Sequence, residues 1–210
     1  MIRVLETMDW REARRRSARD VILEAAWAVV GEEGLAGLSM RDLASRAGIT
    51  TPTVYAYFDS KNAIYDAMFG QAAASFAEKM AEQCASEDPR EILMAGVQRF
   101  FEFCTVDPVR YQLLFQRTLP GFEPSSESFE PAVRALAEAR KWLALNGVTE
   151  SRHVDLLTAL VTGLVNQQVA NDPGGRRWTG LLDESISMFL AYCRQVPHPK
   201  RRAKPSLTRT

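Results

Sequence analysis

Apolar residues recur at three- and four-residue intervals along almost all of this 210-residue chain, and no stretch alternates apolar with polar positions over the length of a strand. The pattern predicts an all-α protein: three small helices first, then a larger helical bundle, about nine helices in all. The first covers residues 17–33, with Val21, Ile22, Ala25, Ala26 and Val29 on one face and Gly34 as its stop. Ser39 is placed to cap a second helix, with Asp42 at its third helical position, and Gly48 supplies the left-handed residue that ends it. A third helix of about eight residues follows, capped by Thr50, with Pro52 tolerated because first-turn amides lack helical acceptors. The fourth opens at Ser60 and runs to about residue 85.

Later helices are predicted over 90–105, 108–115, 130–145, 150–170 and 177–195. The loop LPGFEPSSES (119–128) precedes the 130–145 helix, Asn146–Gly147 stops it, and NDPGG (171–175) separates the last two. The implied organisation is a basic arm (1–16), a helix-turn-helix domain (17–62), a helical ligand-binding and dimerisation domain (63–196) and a polar, basic tail (197–210) expected to be disordered.

A helix as short as the third is marginal alone, so its neighbours must hold it. Val54 and Phe58, four apart, share the face that packs inward with Leu43, Ala44, Ala47 and Ile49. That leaves Thr51, Pro52, Thr53, Tyr55, Ala56 and Tyr57 for the outside. Threonine and tyrosine hydroxyls suit phosphates and base edges, and proline and alanine carbons suit a thymine methyl. Lys61, opening the fourth helix, and Arg41, in the first turn of the second, are candidates for phosphates on either side of a groove. The helix contains no Arg, Asn or Gln, so strong guanine or adenine readout is not expected from it.

The formal net charge is zero, with 26 basic and 26 acidic residues. The distribution is uneven. Residues 1–19 hold six arginines against three acids, and residues 197–210 hold five basic residues and no acid, leaving 15 basic and 23 acidic residues between, a net −8. A basic arm on an acidic body fits a protein that meets a polyanion with a small part of its surface. No apolar stretch approaches the roughly 18 residues of a membrane span, the start lacks the apolar segment of a signal peptide, and Cys84, Cys104 and Cys193 are scattered and odd in number. A cytoplasmic protein without disulfides, metal, cofactor or membrane partner is expected. His153 and His198 are the only histidines, and no catalytic constellation or phosphate loop is evident; His153 reads as a solvated surface residue.

The segment GLSMRDLASRAGITTPTVYAYFDSKNAIYDAM (37–68), with the preceding ILEAAWAVVGEEGLAGLSM, resembles the DNA-binding signature of the tetracycline-repressor (TetR) family of bacterial regulators. The resemblance covers residues 17–68. It implies a DNA-binding transcriptional regulator, usually a repressor, acting as a homodimer on a palindromic operator and released by a small-molecule effector. By position it assigns Arg41, Thr51, Pro52, Thr53, Tyr55, Tyr57 and Lys61 to DNA, with Thr50 as cap and Ala56 standing where larger side chains often read bases.

Family resemblance gives the second domain the ligand and the dimer contact. The residues suggest where. Phe100, Phe101, Phe103, Tyr111, Leu114, Phe115 and Trp142 are candidates for apolar pocket walls, with Thr162, Asn166 and Gln167 as polar groups inside an otherwise apolar helix. Such a pocket would take a largely apolar ligand. Leu157, Val161, Leu164 and Val165 on the penultimate helix, with Trp178, Leu182, Ile186 and Phe189 on the last, are candidates for a four-helix dimer interface. The competing readings are a regulator controlled by a protein partner without a small ligand, and, more distantly, an enzyme acting on an apolar compound.

Overall fold

In a computed structural model, the backbone is described over residues 2–195 and side chains over residues 15–195. His198 and the basic tail fall outside them. Nine α-helices and one 3-10 turn make up the described chain: α1 (Ile2–Gly37), α2 (Met40–Arg46), α3 (Thr51–Tyr57), α4 (Lys61–Ala81), α5 (Pro89–Val106), α6 (Pro108–Phe115), α7 (Ser126–Leu145), α8 (Ser151–Asn171), η1 (Thr179–Leu181) and α9 (Leu182–Gln195). The chain is all-α over these residues, and none of the helices is long and apolar enough to cross a membrane.

Local capping sets the boundaries of the first unit. Ser39 Oγ accepts from the Asp42 amide at 3.1 Å, Thr50 Oγ1 from Thr53 at 3.3 Å and Ser60 Oγ from Ala63 at 3.1 Å. Gly48 turns the chain between α2 and α3 with φ at 67°, which other residues adopt only under strain. α1 breaks at Gly34 (φ 73°, ψ 169°), as its sequence predicts, but a last turn continues to Gly37. At its other end α1 extends back to Ile2, so the stretch read as an arm is helical in line with the rest. Ile22, Ala26, Val29, Leu43, Val54, Phe58, Ile64 and Met68 form the core of this unit.

The second core lies among α5, α8 and α9, built on Leu93, Val97, Phe101, Leu157, Val161, Val165, Leu182, Ile186 and Phe189. This corrects the expected dimer interface. Leu157, Val161, Val165, Leu182, Ile186 and Phe189 are buried within one chain, and Leu164 and Trp178 are half-buried against the same core. α5 covers the strongest apolar faces of α8 and α9, leaving Leu156, Leu181, Met188 and Tyr192 outside. His153 is likewise not solvated: it is 4% exposed, with the rings of Phe189 and Tyr192 edge-on at 6.5 and 6.3 Å.

α4 packs along α7 more extensively than any other described pair and joins the two cores. α7 starts at Ser126, four residues before its predicted start, with Pro131 inside it. The cause is a cap whose partner lies far away in sequence. The Asp66 carboxylate on α4 accepts from Ser125 N at 2.6 Å, Ser125 Oγ at 2.9 Å and Ser128 Oγ at 2.9 Å.

Candidate nucleic-acid interface

α3 is held from behind. Val54 and Phe58 are fully buried, and the Arg19 guanidinium of α1 donates from Nη1 to the Tyr57 carbonyl at 2.6 Å while lying 4.1 Å above the Phe58 ring. A seven-residue helix thus has its last carbonyl tied to α1 and its third amide capped by Thr50. Opposite the buried face, Pro52, Tyr55 and Ala56 are exposed, Tyr55 by 48%.

The other predicted contact residues occupy a graded range. Thr51 and Thr53 are half-buried, and the Thr53 hydroxyl shares a 2.8 Å hydrogen bond with that of Thr50. Tyr57 is half-buried against the first core, so it presents less surface than Tyr55. Pro52 has no amide and Thr50 Oγ1 occupies that of Thr53, so the helix start offers fewer donors to a phosphate than a typical first turn.

Arg41 is exposed at the start of α2 and has no ion-pair partner among the described residues. Lys61 is turned inward, with Nζ 3.4 Å from the Ala36 carbonyl and 5.5 Å from the Tyr65 ring centroid. Beside it, the Tyr65 hydroxyl donates to the Leu35 carbonyl, and burial pushes its pKa up to about 12, so it stays a neutral donor at physiological pH. These two bonds tie the start of α4 to the end of α1.

The predicted aromatic pocket residues pack largely against one another, and two of the predicted polar groups lie on the surface. Asn166 and Gln167 are exposed. Asn166 Oδ1 accepts from the Tyr111 hydroxyl at 2.9 Å and Gln116 Nε2 at 2.8 Å, and Gln167 Oε1 accepts from Asn171 at 2.8 Å. Thr162 Oγ1 bonds back to the Thr158 carbonyl of its own helix at 2.7 Å. Phe100, Phe103 and Phe115 close around Phe76 with ring centroids 5.8, 5.0 and 5.2 Å from it. Phe101 and Tyr111 are buried in the second core, and the Trp142 ring lies over Gly96, where a Cβ would come within 2.3 Å of it.

Leu114 and Phe115 do line an opening, a cleft of about 200 Å³ between α4, α6, the 116–124 loop and α7. Its other apolar walls are Phe69, Leu119, Phe122 and Phe129, residues that spacing alone did not single out. Beyond His153 in its first turn, the buried polar side chain of α8 is Gln168, one position after Gln167.

Residues 22–68 match the model of bacterial regulatory proteins of the tetR family. The transcriptional activator FasR of Mycolicibacterium smegmatis is 30% identical over 103 residues, 49% of this chain and 47% of FasR. The transcriptional regulator EthR of Mycobacterium tuberculosis is 35% identical over 99 residues, 44% of this chain and 45% of EthR. These matches span about half the length of each relative. Across the whole fold, the transcriptional regulator FadR of Bacillus subtilis, solved with stearoyl-CoA, superposes with a TM-score of 0.60 at 19% identity, covering 81% of this chain and 97% of FadR. Residues 22–68 match the DNA-binding model of the tetR family in sequence, and the helices that follow share the fold of FadR.

Proposed function

We propose that the protein is a homodimeric, sequence-specific DNA-binding repressor whose hold on its operator is released by a small, largely apolar ligand. The observation that carries this reading is α3 itself: a capped helix buried through Val54 and Phe58 that presents Pro52, Tyr55 and Ala56 outward. Thr51, Thr53 and Tyr57 flank those three, and Arg41 and Lys61 supply phosphate contacts, Lys61 after leaving the Ala36 carbonyl. A cytoplasmic location follows from the DNA partner.

Two copies of α3 must meet successive major grooves, so a dimer is part of the reading. Its surface is the face left outside the second core: Leu156, Ala159 and Gly163 of α8 with Met188 and Tyr192 of α9 and Leu181 of the turn before it. The α8 residues are spaced by three and four and the α9 pair by four, so each set forms one stripe on its helix.

The ligand enters at the cleft. FadR was solved with a long acyl thioester, and the phenylalanine walls here suit an alkyl chain. Phe69 of the cleft is on α4, whose first turns are bonded to the DNA-reading unit, so a ligand that displaces α4 alters the spacing of the two α3 helices. It does so only to the extent that it binds the two states unequally.

The test is selection from a random duplex pool followed by competition with long-chain acyl compounds. The expected product is a palindrome with half-sites about 10 base pairs apart, bound 5- to 150-fold less tightly when ligand is present. A pool that enriches nothing contradicts the DNA reading. The cleft's volume favours one second reading, a regulator governed by a protein partner. At about 200 Å³ it is below the ~300 Å³ of ordinary ligand pockets, so a ligand must widen it. Selective DNA binding that no apolar compound changes would support that alternative.

A further inference from the structure

α2 and α3 end in different ways. α2 stops at Gly48, whose φ of 67° turns the chain back over the helix end. α3 stops at Phe58 in an extended conformation (φ −139°, ψ 111°), and its last turn holds no basic residue. The Phe58 amide bonds to the Val54 carbonyl at 3.0 Å. The carbonyls after Val54 point beyond the helix, where its partial negative charge gathers, and must be met from elsewhere.

Arg19 meets the last of them. Its Nη1 donates to the Tyr57 carbonyl at 2.6 Å, and the guanidinium lies 4.1 Å above the Phe58 ring. A planar guanidinium can stack and donate at once, and a cation suits a helix C-terminus. The arginine is itself half-buried, and α1 is anchored close by through Ile22 and Ala26 in the core of the same unit. Its charge is thus turned toward α3.

The angle of α3 depends on such a tether. Seven residues make a helix about 10 Å long, and Val54 and Phe58 hold it by one side chain near the middle and one at the end. A tilt of about 10° moves each end by about 1 Å, beyond the ~0.5 Å to which binding groups must be placed. Base edges are read by short, directional bonds, whereas phosphates are met by charge acting over a longer range. Release of the end of α3 therefore falls on sequence preference and spares the sequence-independent share of affinity.

We propose that Arg19 is a positioning residue: from α1 it sets the angle of α3, and with it the discrimination between DNA sequences, without contacting phosphate itself. The proposal rests on α3 being the reading helix.

The test uses the full chain and Arg19→Ala, each titrated over a range of salt against the duplex recovered by the selection above and a scrambled duplex of equal length. The bond from a charged donor is worth about tenfold or more, so the preference between duplexes should fall by at least about tenfold. Affinity for the scrambled duplex, and its salt slope, should stay as in wild type. Arg19→Lys, which keeps donor and charge but not the plane over Phe58, should recover part of the preference. Because Arg19 acts through α3, Tyr55→Ala should cost less preference in the Arg19→Ala chain than in wild type. If Arg19→Ala does not fold, Arg19→Gln, which keeps an N–H donor without the charge, carries the same comparison with a smaller loss.

Unchanged preference in a folded variant, or costs of Arg19→Ala and Tyr55→Ala that simply add, would overturn the proposal while leaving the α3 reading intact. So would a salt slope reduced by about 0.9 per lost arginine on both duplexes, the mark of a phosphate contact. A wild-type selection that enriches no duplex would instead remove the α3 reading, and this role of Arg19 with it.

Discussion

Gln168→Leu is expected to lower the melting temperature by about 6–12 °C. The side chain is 2% exposed and fixes the whole connection from α8 to α9. Its Oε1 accepts from the amides of Trp178 at 3.0 Å and Thr179 at 3.3 Å, and its Nε2 donates to the Asp172 carbonyl and, at 3.2 Å, to Asp172 Oδ2. Leucine fills a similar space and satisfies none of these. A buried donor left without a partner costs about 1–3 kcal/mol, so two amides and a carbonyl give about 3 kcal/mol once some water enters. In a chain of this size each kcal/mol moves the midpoint by about 2–4 °C.

The Asp172 carboxyl adds a pH signature. The Arg177 amide, and after it the Gln168 side chain, hold its pKa below the usual carboxylate value. A depressed folded-state pKa contributes stability above about pH 4 that is lost as pH falls through the folded value. The gap between wild type and variant should therefore narrow below about pH 4. Melting curves of the two proteins at neutral and acid pH check both points, and a shift of under about 2 °C at neutral pH would show that Gln168 is not the anchor its bonds suggest.

The second large effect is expected at Asp66→Ala. This carboxylate takes three hydrogen bonds from Ser125 and Ser128, so it both anchors the serine that caps α7 and holds the 116–124 wall of the cleft to α4. Hydrogen bonds to a charged group are worth about 1.5–3 kcal/mol each in net terms. Allowing for partial replacement by water, local opening of the loop should become easier by about 3 kcal/mol, a factor of about a hundred. Amide exchange over residues 116–129 should speed up by that order while exchange in the first core stays close to wild type. Asp66→Asn, which keeps one acceptor oxygen, should fall between. Unchanged exchange in the alanine variant would show that packing of α4 on α7, closed by Phe69 stacked on Phe129 at 6.1 Å, holds the wall without the carboxylate.

Why some of this was legible in sequence and some was not follows from the range of the interactions. Ser39, Thr50, Ser60 and Gly48 set α2, α3 and the start of α4 through bonds no more than a few residues long, so spacing alone places them. The inward set Val54 and Phe58 followed from the same local periodicity, and Tyr55 was left outside as expected.

The start of α7 was missed because Ser125 is anchored by Asp66, 59 residues away, while Pro131 reads locally as a helix start. The polar centre of α8 was missed by one or two positions, and a single position turns a helix by about 100°, enough to exchange exposed Gln167 for buried Gln168. Leu157, Val161, Val165, Leu182, Ile186 and Phe189 are buried within the chain, not left for a partner, for a related reason. α8 and α9 are apolar on more than one side, and only the position of α5 decides which side is consumed within the chain. Charge composition marked residues 1–19 as basic, but not that Arg19 bonds to the end of α3.

The most direct test of the central claim is an anisotropy titration of the duplex upstream of the protein's own gene, with a scrambled duplex alongside, at two salt concentrations, using wild type and Tyr55→Ala. Tyr55 is 48% exposed on α3 and supports no core contact, so the variant should fold normally. Wild type should prefer the upstream duplex and weaken as salt rises. Losing a contact of about 1 kcal/mol from each half of a dimer should cost the variant about thirtyfold on that duplex and little on the scrambled one. Equal affinity of wild type for both duplexes, unchanged by Tyr55→Ala, would contradict the claim that α3 reads this DNA.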